Sequence, residues 1–204
     1  MNRNRWMVLG AAVAAALFAG LASALHTDWA IALDNRMADL LEGNRLLEFF
    51  TIFGDVRFIA IALLVGAIML YIKRDWVGLL FLGISLGGGT ILNQGLKQVF
   101  ARQRPDIPDQ LASFSFPSGH SQMGLLYLLT LALLFAGAAQ SRAARRLIWA
   151  GILLLAVLIG SSRIALGRHF ATDVLGGWLL GTAWFLLIAV LFIKYGGRSL
   201  RRKA

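Results

Sequence analysis

Three short groups hold most of the side chains with chemical use: Lys97 with Arg104-Pro105, then Pro117-Ser118-Gly119-His120, then Ser162-Arg163 with His169 and Asp173. In the first, two cations lie seven residues apart at the end of an apolar stretch. That is close to two helical turns, so both point to a similar side. Pro105 biases Arg104 away from the α region and predicts that the helix stops there. In the second, Ser118 suits an N-cap and opens an apolar helix running from Gly119 to about Ala139. A helix start offers unpaired N–H groups and partial positive charge, a seat for phosphate. Gly119 lets the backbone approach an anion closely, and His120 in the first turn is placed to give a proton to a leaving oxygen. In the third, His169 and Asp173 stand four residues apart, so a carboxylate can fix the imidazole tautomer and leave the other ring nitrogen free to attack. Arg163 adds a planar fork that fits phosphate oxygens.

Each group also has a plainer reading. Lys97, Arg104 and Arg102 fit as interfacial cations with snorkelling stems, the second group as an ordinary capped helix, and the third as a structural His–Asp pair. In combination they supply three cations, backbone donors and two histidines. Phosphoryl transfer asks for charge stabilisation and in-line positioning, and little else. The chemistry expected is metal-free hydrolysis through a phosphohistidine.

The elements that must bring these groups together are membrane helices. The chain has 204 residues, 58% apolar and 15% charged, against roughly 45–50% and about 25% in a soluble protein. Its mean hydropathy is +0.71. Cysteine is absent, which excludes disulfides, thiolate metal sites and a cysteine nucleophile. The net charge of +10 does not point to nucleic acid, because the basic residues lie between apolar runs rather than on one soluble face. Those runs, residues 7–25, 58–72, 76–96, 121–139, 147–165 and 174–193, predict an all-α integral membrane protein with a six-transmembrane-helix bundle. Most approach the ~20 residues a crossing needs. The second is short and calls for tilt, thinning or an extension back towards Thr51.

One side of six such spans holds twelve cations and one acid, Asp75; the other holds eight cations and nine acids. The positive-inside rule makes the first side cytoplasmic, so both termini lie inside a cytoplasmic membrane and all three motif groups emerge at the outer face. Arg3, Arg5 and Ala22-Ser23-Ala24 resemble a cleavable leader. The apolar stretch of about 19 residues exceeds a signal core of roughly 7–15, so a retained first helix is expected. Residues 25–55, with Met37, Leu40, Leu41, Leu46, Leu47 and Phe50 among charges, predict one or two short amphipathic helices in the outer interface. One membrane-embedded domain, 1–204, is expected, without linker or repeat.

Lys97-x6-Arg104-Pro105, Pro117-Ser118-Gly119-His120 and Ser162-Arg163-x5-His169-x3-Asp173 resemble the three-part signature of the type-2 phosphatidic acid phosphatase superfamily. Length and span count are similar to its small bacterial membrane members, the phosphatidylglycerophosphatase B-like and undecaprenyl pyrophosphate phosphatase-like enzymes. The resemblance covers 97–177 by motif and the rest by topology. It implies that Lys97, Arg104, Ser118, Gly119 and Arg163 bind phosphate. It further implies that His169 attacks phosphorus, Asp173 orients it, and His120 protonates the leaving oxygen and later activates water. No metal or other cofactor is implied. The expected substrate is a lipid phosphate in the bilayer: phosphatidylglycerol phosphate, undecaprenyl pyrophosphate or phosphatidic acid.

Other functions compete. Lipid-to-lipid phosphotransfer uses the same chemistry. A metal-dependent hydrolase built on Asp106, Asp109, His120, His169 and Asp173 lacks a dense carboxylate cluster and sets three cations beside the metal. A lipid transporter is expected to carry ionisable residues at mid-membrane depth, and the spans show mainly Gly87-Gly88-Gly89 and Asn93 there.

Overall fold

A computed structural model of the chain describes residues 3–135 and 141–195. Predicted features at 136–139, and the basic tail with Arg198, Arg201, Arg202 and Lys203, lie outside the described residues. Among the described residues the regular structure is helical throughout. In chain order the helices are α1 (Arg3–Ser23), α2 (Asp28–Leu41), α3 (Arg45–Phe49), α4 (Val56–Ile72), α5 (Trp76–Gly83), α6 (Gly89–Phe100), α7 (Gly119–Phe135), α8 (Arg142–Ala165) and α9 (Ala171–Tyr195). A 3₁₀ turn, Phe50–Gly54, follows α3, and one π-helical turn, Ile84–Gly88, joins α5 to α6 into a single rod.

The distribution of polarity is that of a protein whose solvent is lipid. Asp34, Lys97, Arg163, His169 and Asp173 are buried, while Val56, Ile61, Leu64, Ile72, Leu147 and Leu154 are exposed. In water that arrangement would leave a large apolar surface wet and many charges dry. In a bilayer it is what helices require. Among the described residues four helices are long and apolar enough to cross: α1, the α5–α6 rod, α8 and α9. A fifth is counted if α3 with its turn and α4, bent by 46°, form one span, and α7 is a shorter apolar helix. The chain is a multi-pass membrane protein.

The predicted spans differ from the helices mainly at their ends. The fourth begins at Gly119 and the fifth at Arg142, where the Ser141 hydroxyl accepts the N–H of Ala144 at 3.0 Å. The extension of the short second span towards Thr51 is a separate turn at an angle, because Asp55 caps a new helix by accepting the N–H of Arg57 at 2.8 Å. Helix α6 stops at Phe100 rather than near Pro105, with Ala101 in the left-handed region at φ 45°. Lys97 and Arg104 therefore do not share a helix face, contrary to the expectation from their spacing.

Helix α9 is the axis of the bundle, packed against α1, α7, α8 and α2. Apart from backbone bonding within helices, close packing of small residues is the main means of holding apolar helices in lipid. At Gly177 α9 lies tightly against the start of α7, since a Cβ there would lie 2.6 Å from the carbonyl oxygen of Ser118 and 3.0 Å from Ser121 Cβ. The loop joining α6 to α7 is anchored by Phe116, fully buried and stacked on Phe18 at 5.5 Å and edge-on to Phe100 at 5.0 Å.

Gly177→Ala should force α7 and α9 apart. The expected result is a lowered thermal midpoint in detergent, equivalent to about 1–3 kcal/mol, with most turnover lost. A variant melting with the wild type would contradict this packing.

Candidate active site

The last turns of α6 and α8 and the first turns of α7 and α9 meet at one end of the bundle. A backbone bond ties the starts of α7 and α9, Ser118 N–H donating to Asp173 O at 3.0 Å, and Arg168 N–H closes the end of α8 on Arg163 O at 3.0 Å. Gly167, at φ 60°, makes the tight turn that ends α8, a conformation that disfavours any residue with a Cβ. His169, two residues on, donates its backbone N–H to Arg163 O at 3.2 Å.

His169 thus lies before α9 rather than on a shared helix face with Asp173. The pair still meets, Nδ1 to Asp173 Oδ2 at 3.3 Å, because that carboxylate turns back over the helix start and accepts the N–H of Phe170 at 2.9 Å. The Ser115 hydroxyl donates to the same oxygen. On the other side of the ring, Arg104 Nη1 donates to Nε2 at 3.0 Å. One tautomer serves both contacts, with the proton on Nδ1 and the lone pair on Nε2. Burial pushes the imidazole down to about 4, against the opposing hydrogen bond and charge of Asp173.

Arg104 is held by the loop: it donates to Ser113 O at 2.6 Å, to the Ser113 hydroxyl at 3.0 Å and to Arg168 O at 2.7 Å. Lys97, buried on α6, donates to the carbonyls of Phe114 and of Ser115, the latter at 3.2 Å. Arg163 donates from Nη1 to the Thr51 hydroxyl at 2.7 Å, while its Nε is buried without a protein acceptor. His120 packs beside Gly54, and its electrostatic neighbours are Arg163, His169, Asp55 and Arg104. Ser118 caps α7 with its carbonyl accepting Gln122 N–H at 3.0 Å, and its hydroxyl accepts from Ser121 Oγ at 2.9 Å. The eight residues singled out from the sequence are therefore all at this end of the bundle. Among the described residues no three His, Cys, Asp or Glu side chains form a metal-ligand cluster.

Several residues here carried no local signal. Arg102, which fitted a snorkelling cation, is instead in two buried ion pairs, with Asp173 Oδ1 at 2.7 Å and Asp34 Oδ2 at 2.8 Å. Thr51 and Ser115 were equally silent; Asn93, a polar residue within a predicted span, donates from Nδ2 to Gln122 Oε1 at 2.6 Å and joins α6 to the start of α7. Arg102 lies two residues before Arg104 in a basic cluster, the one local sign of its place beside the site.

With this geometry, comparisons with known proteins are specific. The PAP2 superfamily profile matches residues 76–196. Phosphatidylglycerophosphatase B of Bacillus subtilis is 36% identical over 183 residues, which cover 82% of this chain and 87% of that protein. An undecaprenyl-diphosphatase of Sulfolobus acidocaldarius is 29% identical over 134 residues, 62% of this chain and 60% of that one. The crystal structure of the first transmembrane PAP2 type phosphatidylglycerolphosphate phosphatase, also from Bacillus subtilis, aligns with a TM-score of 0.80 at 30% identity, covering 91% of this chain and 96% of that chain. With over half its length inside the family match, the chain belongs to the PAP2 superfamily.

Proposed function

We propose that the chain hydrolyses the phosphate head group of a membrane lipid through a phosphohistidine on His169. The observation that carries this is the His169 ring, held with Nδ1 towards Asp173 and Nε2 towards the Arg104 guanidinium. A phosphate drawn to Arg104 is drawn to the lone pair that would attack it. Arg163, Lys97 and the N–H groups at the start of α7 complete the anion seat, and the unpaired Nε of Arg163 is a donor that a phosphate oxygen would satisfy.

His169 Nε2 attacks phosphorus in line, and the lipid alkoxide departs with the proton of His120, whose charged form the anionic head group stabilises once it is seated beside the ring. Neutral His120 then takes a proton from water, whose oxygen attacks the phosphohistidine and frees inorganic phosphate and the imidazole. Asp173 stabilises the charge that grows on the ring in the first step.

The site belongs to one domain that crosses the cytoplasmic membrane six times, with both termini inside. Helices α4 and α7, each of 17 described residues, stand at the short limit for a crossing of roughly 17–25 residues. Six crossings place α2 and α3 in the outer interface and the site at the outer face, and the excess of cations on the opposite side supports that orientation. A seat at that depth is reached by a lipid head group. Phosphatidylglycerol phosphate is the favoured substrate, because the relative with 36% identity over most of both chains is named for it. Undecaprenyl pyrophosphate and phosphatidic acid are the comparison substrates.

Purified protein in detergent with a strong chelator should release phosphate from this panel, fastest per KM from phosphatidylglycerol phosphate. His169→Ala should lower kcat by about a thousandfold or more. Failure to release phosphate from any of the three, or near-normal turnover by the variant, would contradict the proposal.

The ring should also stay neutral far into acid, since its folded value near 4 lies below the ordinary 6.5. Imidazole ¹⁵N signals, with His169 assigned by its loss in His169→Ala, should show no protonation of that ring from pH 7 down to about pH 5. Titration near pH 6.5 would show that the ring is not buried as described.

A further inference from the structure

The two oxygens of Asp173 have separate partners. Oδ2 faces His169, Ser115 and the N–H of Phe170, whereas Oδ1 takes Arg102 Nη1 at 2.7 Å. The same Nη1 donates to the Thr172 hydroxyl at 2.7 Å, and Nη2 to Asp34 Oδ2 at 2.8 Å. Asp34, on α2, also accepts the backbone N–H of Thr172 at 2.8 Å and its hydroxyl at 2.9 Å, so it ties α2 to the first turn of α9. The Phe170 ring covers the guanidinium at 4.3 Å.

The side chain of Arg102 contacts Asp34, Thr172, Asp173 and the Phe170 ring, and none of Lys97, Arg104, Arg163 or His169 is among its hydrogen-bond partners. With Asp34, His26, Phe100 and Phe170 it lines a separate cleft of about 470 Å³, and none of Lys97, Arg104, Arg163 or His169 lines that cleft. Of the side chains that Arg102 hydrogen-bonds, Asp173 is the one that contacts the His169 ring, and it is the direct route by which Arg102 acts on the reaction.

We propose that Arg102 and Asp34 form a positioning pair for the catalytic carboxylate. Rotation about the last torsion of an aspartate is soft, and a charged fork on Oδ1 removes that freedom, so Oδ2 stays aimed at the imidazole. Asp34 has a second task. An unneutralised guanidinium at 2.7 Å would draw the carboxylate's charge to itself and weaken its hold on a positive His169. With Asp34 present the three groups keep one net negative charge, available to the ring as phosphoryl transfer begins. Helix α2 is thereby part of the catalytic apparatus. This rests on the reading of His169 as nucleophile.

Arg102→Lys keeps the charge and loses the fork; Asp34→Asn keeps hydrogen bonding and loses the charge. Each should lower kcat on phosphatidylglycerol phosphate by ~10- to 100-fold, with KM within about threefold of wild type. In an Asp173→Asn background, Arg102→Lys should cost nothing further, because the group through which it acts is already disabled. The proposal is overturned by loss carried in KM, by additive loss in the double variant, by wild-type kcat in both single variants, or by kcat losses that follow equal falls in thermal midpoint. His169→Ala measured alongside separates the two levels. Turnover surviving in that variant removes the nucleophile assignment, whereas its loss together with normal Arg102→Lys and Asp34→Asn enzymes removes the positioning pair alone.

Discussion

An ionised side chain buried in a bundle with an apolar exterior cannot rely on water to solvate it. It must find counter-charge and hydrogen bonds within the protein, or the helices around it will not close. Asp173 meets this demand with Arg102, Ser115, His169 and the N–H of Phe170, and Arg102 meets it with Asp34. These contacts join α2, the α6–α7 loop and the start of α9. The same closure brings Arg104 and Arg163 towards one point, where mutual repulsion between cations is relieved by an anion. Under the proposed function, folding of this end of the bundle and affinity for phosphate share one electrostatic origin.

The helices contribute geometry more than chemistry. Because successive helices alternate in direction, the ends of α6 and α8 and the starts of α7 and α9 fall at one end of the bundle, and close α7–α9 packing at Gly177 sets how near they come. The loop that carries Arg104 has no ladder of its own and is held by side chains: Lys97 and Arg104 to its carbonyls, Phe116 to the apolar cluster of Phe18 and Phe100. The cations proposed to bind phosphate thereby also serve as loop anchors. A substitution at Lys97 or Arg104 would disturb both roles, which is why such variants discriminate poorly between binding and structure.

Much of the site was legible because residue type and order suffice for it. Lys97, Arg104, Ser118, Gly119, His120, Arg163, His169 and Asp173 stand at ends of apolar runs, and alternation of runs assigns those ends to one side. The reasons given by spacing were less secure. Lys97 and Arg104 were expected on one helix face, yet Ala101 turns the chain first; His169 and Asp173 were expected on one helix, yet the helix begins between them. What spacing could not reveal were contacts between distant segments. Asp34 and Thr172 are 138 residues apart and Thr51 and Arg163 are 112 apart, and a buried pair of that separation leaves no local pattern. Helix ends at Arg142 and Phe100 were missed for a related reason: caps and left-handed residues decide them, while hydropathy marks only the lipid-facing middle.

A covalent phosphoryl group on His169 is the claim from which the others follow, and it is open to direct capture. Labelled lipid phosphate mixed with enzyme and quenched in alkali within the first turnover should leave label on the protein, stable to base and labile to acid, located at His169 and absent from His169→Ala. Phosphate release with no labelled protein at any quench time, or label on another residue, would contradict it.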